Sequence, residues 1–267
     1  MLVMERTEEE LCQAIEGSFV HVFSTMCTST PNSVLRDEGD AILYASGYPN
    51  GLLNGVLGIK FSSETMAGRV GDILSYFEER RLPMTFFVGP GCTPPDLDDF
   101  LLAQGLAPGW PRPGMATDIR NHEPAKMPAG LEIIPVENAN SLSVCADTFA
   151  KGFAPDTQSI GWIRDLVIGY GFSDTRRWFL GCLEGKPVAT SLLVLYKGVA
   201  GVYCVATLKE ARGRGIGAAL TKEPMLVAKN MGYDSAVLQS SKMGLPVYEK
   251  LGFKEYCRIR AYIWTPK

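Results

Sequence analysis

The residues best suited to chemistry lie in one run, Val205-Ala-Thr-Leu-Lys-Glu-Ala-Arg-Gly-Arg-Gly-Ile-Gly-Ala-Ala-Leu220. It passes from a β-branched apolar stretch, through a glycine-rich turn, into a helical pattern. Gly213, Gly215 and Gly217 let successive backbone N–H groups converge on one concavity with no Cβ in the way, and the helix that starts there adds the positive end of its dipole. Such a place holds an anion, and a phosphate fits it. Arg212 and Arg214 add two guanidinium groups at the mouth. The chemistry implied is retention of a pyrophosphate-bearing cofactor, mainly by the main chain of Arg212, Gly213, Arg214, Gly215, Ile216, Gly217 and Ala218.

Glycine spacing decides which phosphate ligand is meant. A P-loop needs Gly, four residues, then Gly-Lys-Ser/Thr, and the run has no such pattern. The dinucleotide fingerprint fails too: three positions after Gly215 stands Ala218, and no acidic residue ends a second strand about twenty residues on. What fits is Arg212-x-x-Gly215-x-Gly217, followed by Ala236-Val-Leu-Gln-Ser-Ser-Lys-Met-Gly-Leu-Pro-Val-Tyr-Glu-Lys-Leu-Gly-Phe253 and a closing strand at Arg258 to Trp264. Together these resemble the pyrophosphate loop and the second signature of the GNAT superfamily of N-acyltransferases. The resemblance covers residues 131 to 264. Ahead of the loop the pattern reads as a strand at Leu131 to Pro135, helices from Ala139 to Tyr170, and a hairpin from Trp178 to Leu195 turning at Glu184-Gly-Lys-Pro187. The apolar run Val188 to Ala206 is nearly long enough to span a bilayer, but Lys197-Gly198 interrupts it and its Val, Thr and Tyr content reads as two adjacent strands.

The resemblance implies an α/β fold with a mixed sheet in which the fourth strand carries the acyl-pantetheine along its backbone and the fifth splays away. It implies acetyl-CoA (coenzyme A) as cofactor, held by Val205, Ala206 and Thr207 and by Arg212 to Ala218. It also implies Tyr248, in Tyr-Glu-x-x-Gly-Phe, as the acid for the departing thiolate; Val247 and Leu251 already supply that helix with an apolar face. Oxyanion stabilisation falls to main-chain N–H groups around Val205 to Leu208. The fourth strand, Gly201-Val-Tyr-Cys-Val-Ala-Thr207, has no carboxylate to act as base; either Tyr203, Cys204 or a water held by Ser240 and Ser241 relays a proton or the amine arrives already deprotonated, and no base is assigned. The acceptor is a primary amine of a small molecule or peptide, met by Phe149 to Asp174, where Phe149 to Gln158 reads as an exposed connection. Asp156 and Asp165 are candidates for a cationic amine, and Phe153 and Trp162 for an apolar body. The alternative is a non-catalytic acyl-CoA-binding regulatory module, which would need the loop but not Tyr248.

The first half is related to the second. Met66 to Val88 lies without gaps over Ile216 to Leu238 at a shift of 150 residues, placing Val70, Tyr76, Phe77, Phe87 and Val88 on Leu220, Leu226, Val227, Val237 and Leu238. Asp98 to Leu106 parallels Tyr248 to Phe253 as a helix closing on Gly plus an apolar residue. A tandem duplication follows. Arg212, Gly215 and Gly217 fall on Ser62, Thr65 and Ala67, so the first copy has no anion loop and one acyl-CoA is expected per chain. Two tandem GNAT-like domains result, each a twisted mixed sheet flanked by helices: a degenerate one over 1–125 and a catalytic one over 126–267. The boundary rests on a crowd of Pro108, Pro111, Pro113, Pro124, Pro128 and Pro135 with Gly109, Gly114 and Gly130, and a part of Trp110 to Ile119, with strand character at Gly114 to Ile119, is expected to complete the first sheet.

Composition narrows the class. With 267 residues, 46% apolar and a net charge of −3, the chain can bury a large core and shows no basic block, so neither nucleic acid nor a membrane is an expected partner. Glu5, Glu8, Glu9 and Glu10 oppose a secretory leader. Seven scattered cysteines without Cys-x-x-Cys spacing, and only His21 and His122, argue for a reducing cytoplasmic setting without a metal site. The oligomeric state is left open by the sequence.

Overall fold

The computed structural model describes residues 6–124, 126–154 and 156–267. Glu5, the expected domain cut at residue 125 and Pro155 of the expected acceptor loop lie outside them. In chain order the elements are α1 (Glu8–Met26), β1 (Val34–Asp37), β2 (Ile42–Ala45), β3 (Asn54–Leu57), α2 (Met66–Glu79), β4 (Met84–Val88), α3 (Leu97–Ala103), β5 (Ala107–Pro108) and β6 (Arg112–Asp118). The second half follows with β7 (Leu131–Pro135), α4 (Ala139–Phe153), α5 (Thr157–Tyr170), β8 (Arg176–Leu183), β9 (Lys186–Tyr196), β10 (Val199–Thr207), α6 (Ile216–Asn230), β11 (Ser235–Gln239), α7 (Leu245–Lys250) and β12 (Lys254–Trp264). From α1 and from α5 onward the halves run through the same order, helix, three strands, helix, strand, short helix and closing strand or strands, with α2 lying 150 residues before α6; β7 and α4 have no counterpart in the first half.

Local chemistry sets most boundaries. A capping box of Thr7 and Glu10 starts α1, and Asp156 accepts the N–H of Ser159 to start α5. The β8–β9 hairpin turns at Glu184 (φ +51°) and Gly185 (φ +77°), and β9–β10 at Lys197 (φ +44°) and Gly198 (φ +79°), pairs of left-handed residues that suit the twist of the strands they join. Both α3 and α7 close in one way: Leu106 N–H reaches Leu101 O across Gly105, and Phe253 N–H reaches Tyr248 O across Gly252. This equivalence sets Leu101 opposite Tyr248.

The strands form one mixed sheet in the order β1-β2-β3-β4-β12-β6-β11-β10-β9-β8-β7, with β5 beside β12. The two halves therefore join edge to edge, and each gives a strand to the other. β6, from the first half, lies between β11 and the first part of β12, pairing Met115 with Leu238 and Arg112 with Ile259. The rest of β12 lies between β4 and β5, pairing Arg260 with Val88 and Tyr262 with Pro108. The expectation that Gly114 to Ile119 completes the first half's sheet is thus corrected. The Pro/Gly-rich stretch read as linker is also shorter than its composition implied, because Pro113 and Gly114 lie inside β6 and Pro135 inside β7. Gly114 is needed there: a Cβ would stand 2.6 Å from Cys257 Sγ and 2.7 Å from Ile15 Cγ2. Its absence lets α1 lie directly on the sheet.

Helices α6 and α7 cover one face of the second half around Leu193, Leu220 and Leu238. On the other face α4 and α5 pack near Trp178 and Leu192, and α1 crosses from the first half to meet Ala116, Val199 and Val237.

Because β4, β5 and β6 are the partners of β12, and β6 also satisfies β11, a fragment spanning residues 127–267 would leave one edge of β11 unpaired and β12 without any partner strand. We expect it to be insoluble or to lack a cooperative melt, and co-expression with residues 1–124 to recover a soluble complex. Solubility and circular dichroism test this; a well-folded isolated fragment would refute the structural role of the exchange.

Candidate functional site

The glycine-rich turn is built as an open cradle. Gly213 (φ +78°) and Gly215 (φ +79°) are left-handed, and Gly215 caps α6 without any side-chain bond. Ile216 is 1% exposed and pins the first turn of the helix to the core, while Arg212 to Gly215 are exposed. Among the described residues, the N–H groups of Gly213 through Ala218 have no main-chain acceptor; the first helical bond runs from Ala219 N–H to Gly215 O at 3.1 Å. Six donors and a helix N-terminus thus face one opening. Gly217 lies against the end of β10, where an added Cβ would be 3.8 Å from Thr207 Oγ1. The two arginines differ. Arg212 Nε donates to Thr207 O at 3.0 Å and its Nη2 to Gly152 O at 3.5 Å, so it latches the turn to β10 and to the end of α4. Arg214 is exposed and has no side-chain partner among the described residues.

Beside the cradle the sheet forks. β10 and β11 pair in parallel only at Ala200↔Ala236 and Gly201↔Val237, although β10 continues to Thr207 and β11 to Gln239. A bulge bends β10 at the same level: the register with β9 shifts between Tyr203 and Ala206, Cys204 takes φ +49°, and Thr190 Oγ1 donates to Cys204 O at 2.9 Å. The main chain of Val205, Ala206 and Thr207 therefore lines one side of a slot. Leu208, expected among the oxyanion donors, spends its N–H on Val188 O at 2.8 Å. The proposed proton relays are also unsuited to accept a proton at neutral pH. Burial pushes the Tyr203 phenol upward despite its 2.7 Å hydrogen bond with Ser18, and burial pushes the Cys204 thiol well above its ordinary range. Ser240 Oγ is occupied by Ser241 O at 2.8 Å.

Tyr248 stands at the far side of this fork. Its ring lies on Gly244, where a Cβ would be 2.7 Å from Cε2, and meets Phe253 edge-on at 5.9 Å between centroids. Its hydroxyl has no hydrogen-bond partner among the described residues. Burial, with a smaller contribution from Cys204, pushes the phenol up to about 12.

The acceptor side differs from the sequence expectation. α4 and α5 are joined by only a few residues, not by a connection from Phe149 to Gln158. Asp156 is the cap of α5, and the N–H and hydroxyl of Ser159 hold its carboxyl below the usual range. Phe153 is exposed and stacks on Phe149 at 5.1 Å. Asp165 and Trp162 instead meet the first half: Tyr48 Oη donates to Asp165 at 3.1 Å, and its ring stacks on Trp162 at 5.6 Å. α1 contributes Ser18 to Tyr203 and the Ile15 carbonyl to Gln239 Nε2 at 3.0 Å. Sequence reasoning missed these contributions from the first half. The available signal was the same 150-residue shift, which lays α1 over α5.

The matching places in the first half are closed. Ser62 and Thr65 bond each other's N–H and hydroxyl groups at the start of α2, consuming donors that the cradle at α6 leaves free. β3 and β4 also part after Val56↔Phe86, but a bridge between Lys60 and Thr93 rejoins them, and the Glu16 carboxylate accepts the Gly91 N–H at 2.8 Å inside the gap.

A cradle at a helix N-terminus and a parallel pair of strands that parts beside it make up the site's geometry. Residues 174–255 match the family model described as an acetyltransferase (GNAT) domain. Among solved structures, a GCN5-related N-acetyltransferase from Kribbella flavida is 17% identical, with a TM-score of 0.68 over 95% of this chain and 96% of its own. A tandem GNAT protein from the clavulanic acid biosynthesis pathway, solved without AcCoA, is 14% identical, with a TM-score of 0.61 over 95% of each chain. A GCN5-related N-acetyltransferase from Sphaerobacter thermophilus is 15% identical, with a TM-score of 0.60 over 97% of this chain and 94% of its own. No curated protein matches. The second half thus matches a GNAT domain model over residues 174–255, and along its whole length the chain shares the fold of these GCN5-related and tandem GNAT structures.

Gly215→Val places a β-branched side chain at φ +79°, and is expected to lower stability by about 1–3 kcal/mol. Gly213→Asn, at φ +78°, should cost little, since Asn tolerates this region. Denaturant unfolding of the two variants measures the difference.

Proposed function

We propose that this protein is an acyl-CoA-dependent N-acyltransferase that moves an acetyl group from acetyl-CoA to a primary amine of a small molecule or peptide. The observation that carries this reading is the free N–H groups of 213–218 at the start of α6 beside the edge of β10 that β11 leaves unpaired beyond Gly201; Tyr248, on the helix that follows β11, is the phenol this reading assigns to the departing sulfur. The residues suit the cofactor, because the cradle is exposed, rich in donors and free of side chains where a pyrophosphate would approach.

When bound, acetyl-CoA supplies an acyl group activated as a thioester. The N–H groups of Gly213 to Ala218 hold the pyrophosphate, with Arg214 adding charge at the rim and Arg212 keeping the turn against β10. Main chain of Val205, Ala206 and Thr207 orients the pantetheine and offers N–H groups to the carbonyl oxygen. Tyr248 keeps a proton at Oη for the departing sulfur and regains it from solvent. With its phenol pushed up to about 12, it stays protonated through the neutral range, so it acts as donor and not as base. The raised values of Tyr203 and Cys204 leave solvent to take the amine proton. One cofactor per chain is expected, because self-capping at α2 and Glu16 in the first-half gap occupy the equivalent places.

Calorimetric titration with acetyl-CoA should give one equivalent bound, lost in Arg212→Ala/Gly215→Val. Tyr248→Phe should keep that affinity while kcat for an amine acceptor falls about 100-fold or more. The kcat profile of the native protein should show no alkaline loss from this phenol below about pH 10, since a group raised from 10 to about 12 remains protonated there. Unchanged turnover in Tyr248→Phe would remove its role. Stoichiometric binding with no transfer to any amine would establish the regulatory-module reading.

A further inference from the structure

The junction of the two halves carries a cation that the fold leaves unused. Arg112, in β6, is partly buried, and among the described residues it has neither an ion pair nor a hydrogen bond. Its guanidinium carbon stands 5.1 Å from the centroid of the Phe87 ring, which Phe19 meets edge-on at 5.2 Å and Phe23 approaches at 5.4 Å. Arg69 and Arg260 behave differently, gripping Asp40 at 2.8 Å and Asp98 at 2.7 Å. Burial works against the charge on Arg112, the only opposing influence is Tyr44, and no carboxylate acts on it. A guanidinium does not shed its proton to escape such a place, so its N–H donors stay charged and without a protein acceptor, while none of its nitrogens is fully closed off from solvent.

Its position relates it to the fork. β6 pairs Gly114 with Gln239, and side-chain alternation sets Arg112, Gly114 and Ala116 on the α1 face, the face that Val237 and Gln239 also share. Arg112 therefore lies about 7 Å along the strand and about 5 Å across from Gln239, on the side toward which the fork opens. Gln239 donates to Ile15 O through Nε2, which fixes its amide orientation, and its Oε1 is buried without a hydrogen-bond partner. A donor without an acceptor and an acceptor without a donor thus share one face of the sheet beside the slot.

We propose that Arg112 anchors the carboxylate of the amine acceptor, so that the acceptor is an amino-carboxylate with an apolar side chain, its amine directed toward Gln239 and the fork. This rests on the acyltransferase reading and adds the substrate class to it. A carboxylate matches the guanidinium fork with two parallel hydrogen bonds, and the partly buried ring of Phe23, packed on the buried Phe19 and Phe87, suits an apolar substituent. An amine without the carboxylate would leave Arg112 unpaired, so discrimination against it is strong.

The test begins with binding, which needs no turnover. N-acetyl-L-phenylalanine and its neutral amide are titrated into the native protein and into Arg112→Met, with and without CoA. The acid is expected to bind at least about tenfold more tightly than the amide, Arg112→Met to abolish the difference, and Arg112→Lys to restore part of it. CoA affinity should be equal in all three proteins. The melting temperature of Arg112→Met should stay level or rise, because an unpaired charge is replaced by a methionine of similar length; a residue kept for structure would lower it. In turnover with acetyl-CoA, phenylalanine should exceed phenethylamine about 100-fold in kcat/KM, a preference lost in Arg112→Met. Equal affinity for acid and amide, no binding of either, or an unaltered preference in Arg112→Met would overturn the proposal. Failure of the underlying acyltransferase reading is seen separately, as absence of CoA binding by the native protein.

Discussion

Backbone pairing across the middle of the sheet is the constraint on which this molecule depends. A strand buried between two others must have both edges satisfied, and here the strands that satisfy β11 and β4 come from the opposite halves. β6 and β12 lie next to each other, and the pairing of Arg112 with Ile259 is the seam at which the halves meet. Neither half has a complete sheet of its own. The arrangement also explains why α1 reaches across to the second half: it packs on β6 and β11 through Ile15, over a glycine that no larger residue could replace without displacing the helix or Cys257.

The candidate site follows from the same pairing. β11 is held along its far side by β6 over Ser235 to Gln239, so it stays in the sheet while β10, bulged at Cys204, bends away. The slot opens between a fixed strand and a deflected one. α7 leaves β11 at this point and brings Tyr248 to it, while the glycine turn after β10 places the start of α6 at the other end. The first half begins the same divergence between β3 and β4 but rejoins at Lys60 and Thr93, and a carboxylate from α1 fills what remains. Two copies of one layout have thus come to differ through a few side chains at the fork and the turn.

Much of this was legible because it is encoded locally. The glycine spacing of 213–217, the turns at Glu184-Gly185 and Lys197-Gly198, and the closing Gly252-Phe253 each require a backbone conformation that few residues adopt. The exchange of strands was not legible, because an apolar alternating segment such as Met115-Ala-Thr fits either half equally and its partner is chosen by contacts more than a hundred positions away. Composition misled at Pro113 and Gly114, which are poor strand formers kept by crowding at a seam that only the folded chain has. Asp156 was weighed as a ligand for a cation, yet its place three residues before Ser159 already marked it as a cap. Arg112 carries no local signature; its lack of a partner exists only in three dimensions.

A duplicated unit without the anion turn of its partner would ordinarily be free to drift or to be deleted. Here that freedom is withheld. β6 belongs by descent to the copy without the anion turn and by position to the copy that has it, so removing the former would strip a central strand from the latter. The copy without the anion turn is therefore constrained at its interior residues together with its neighbour, and the persistence of a seemingly dispensable half has a mechanical cause and not an inherited inertia.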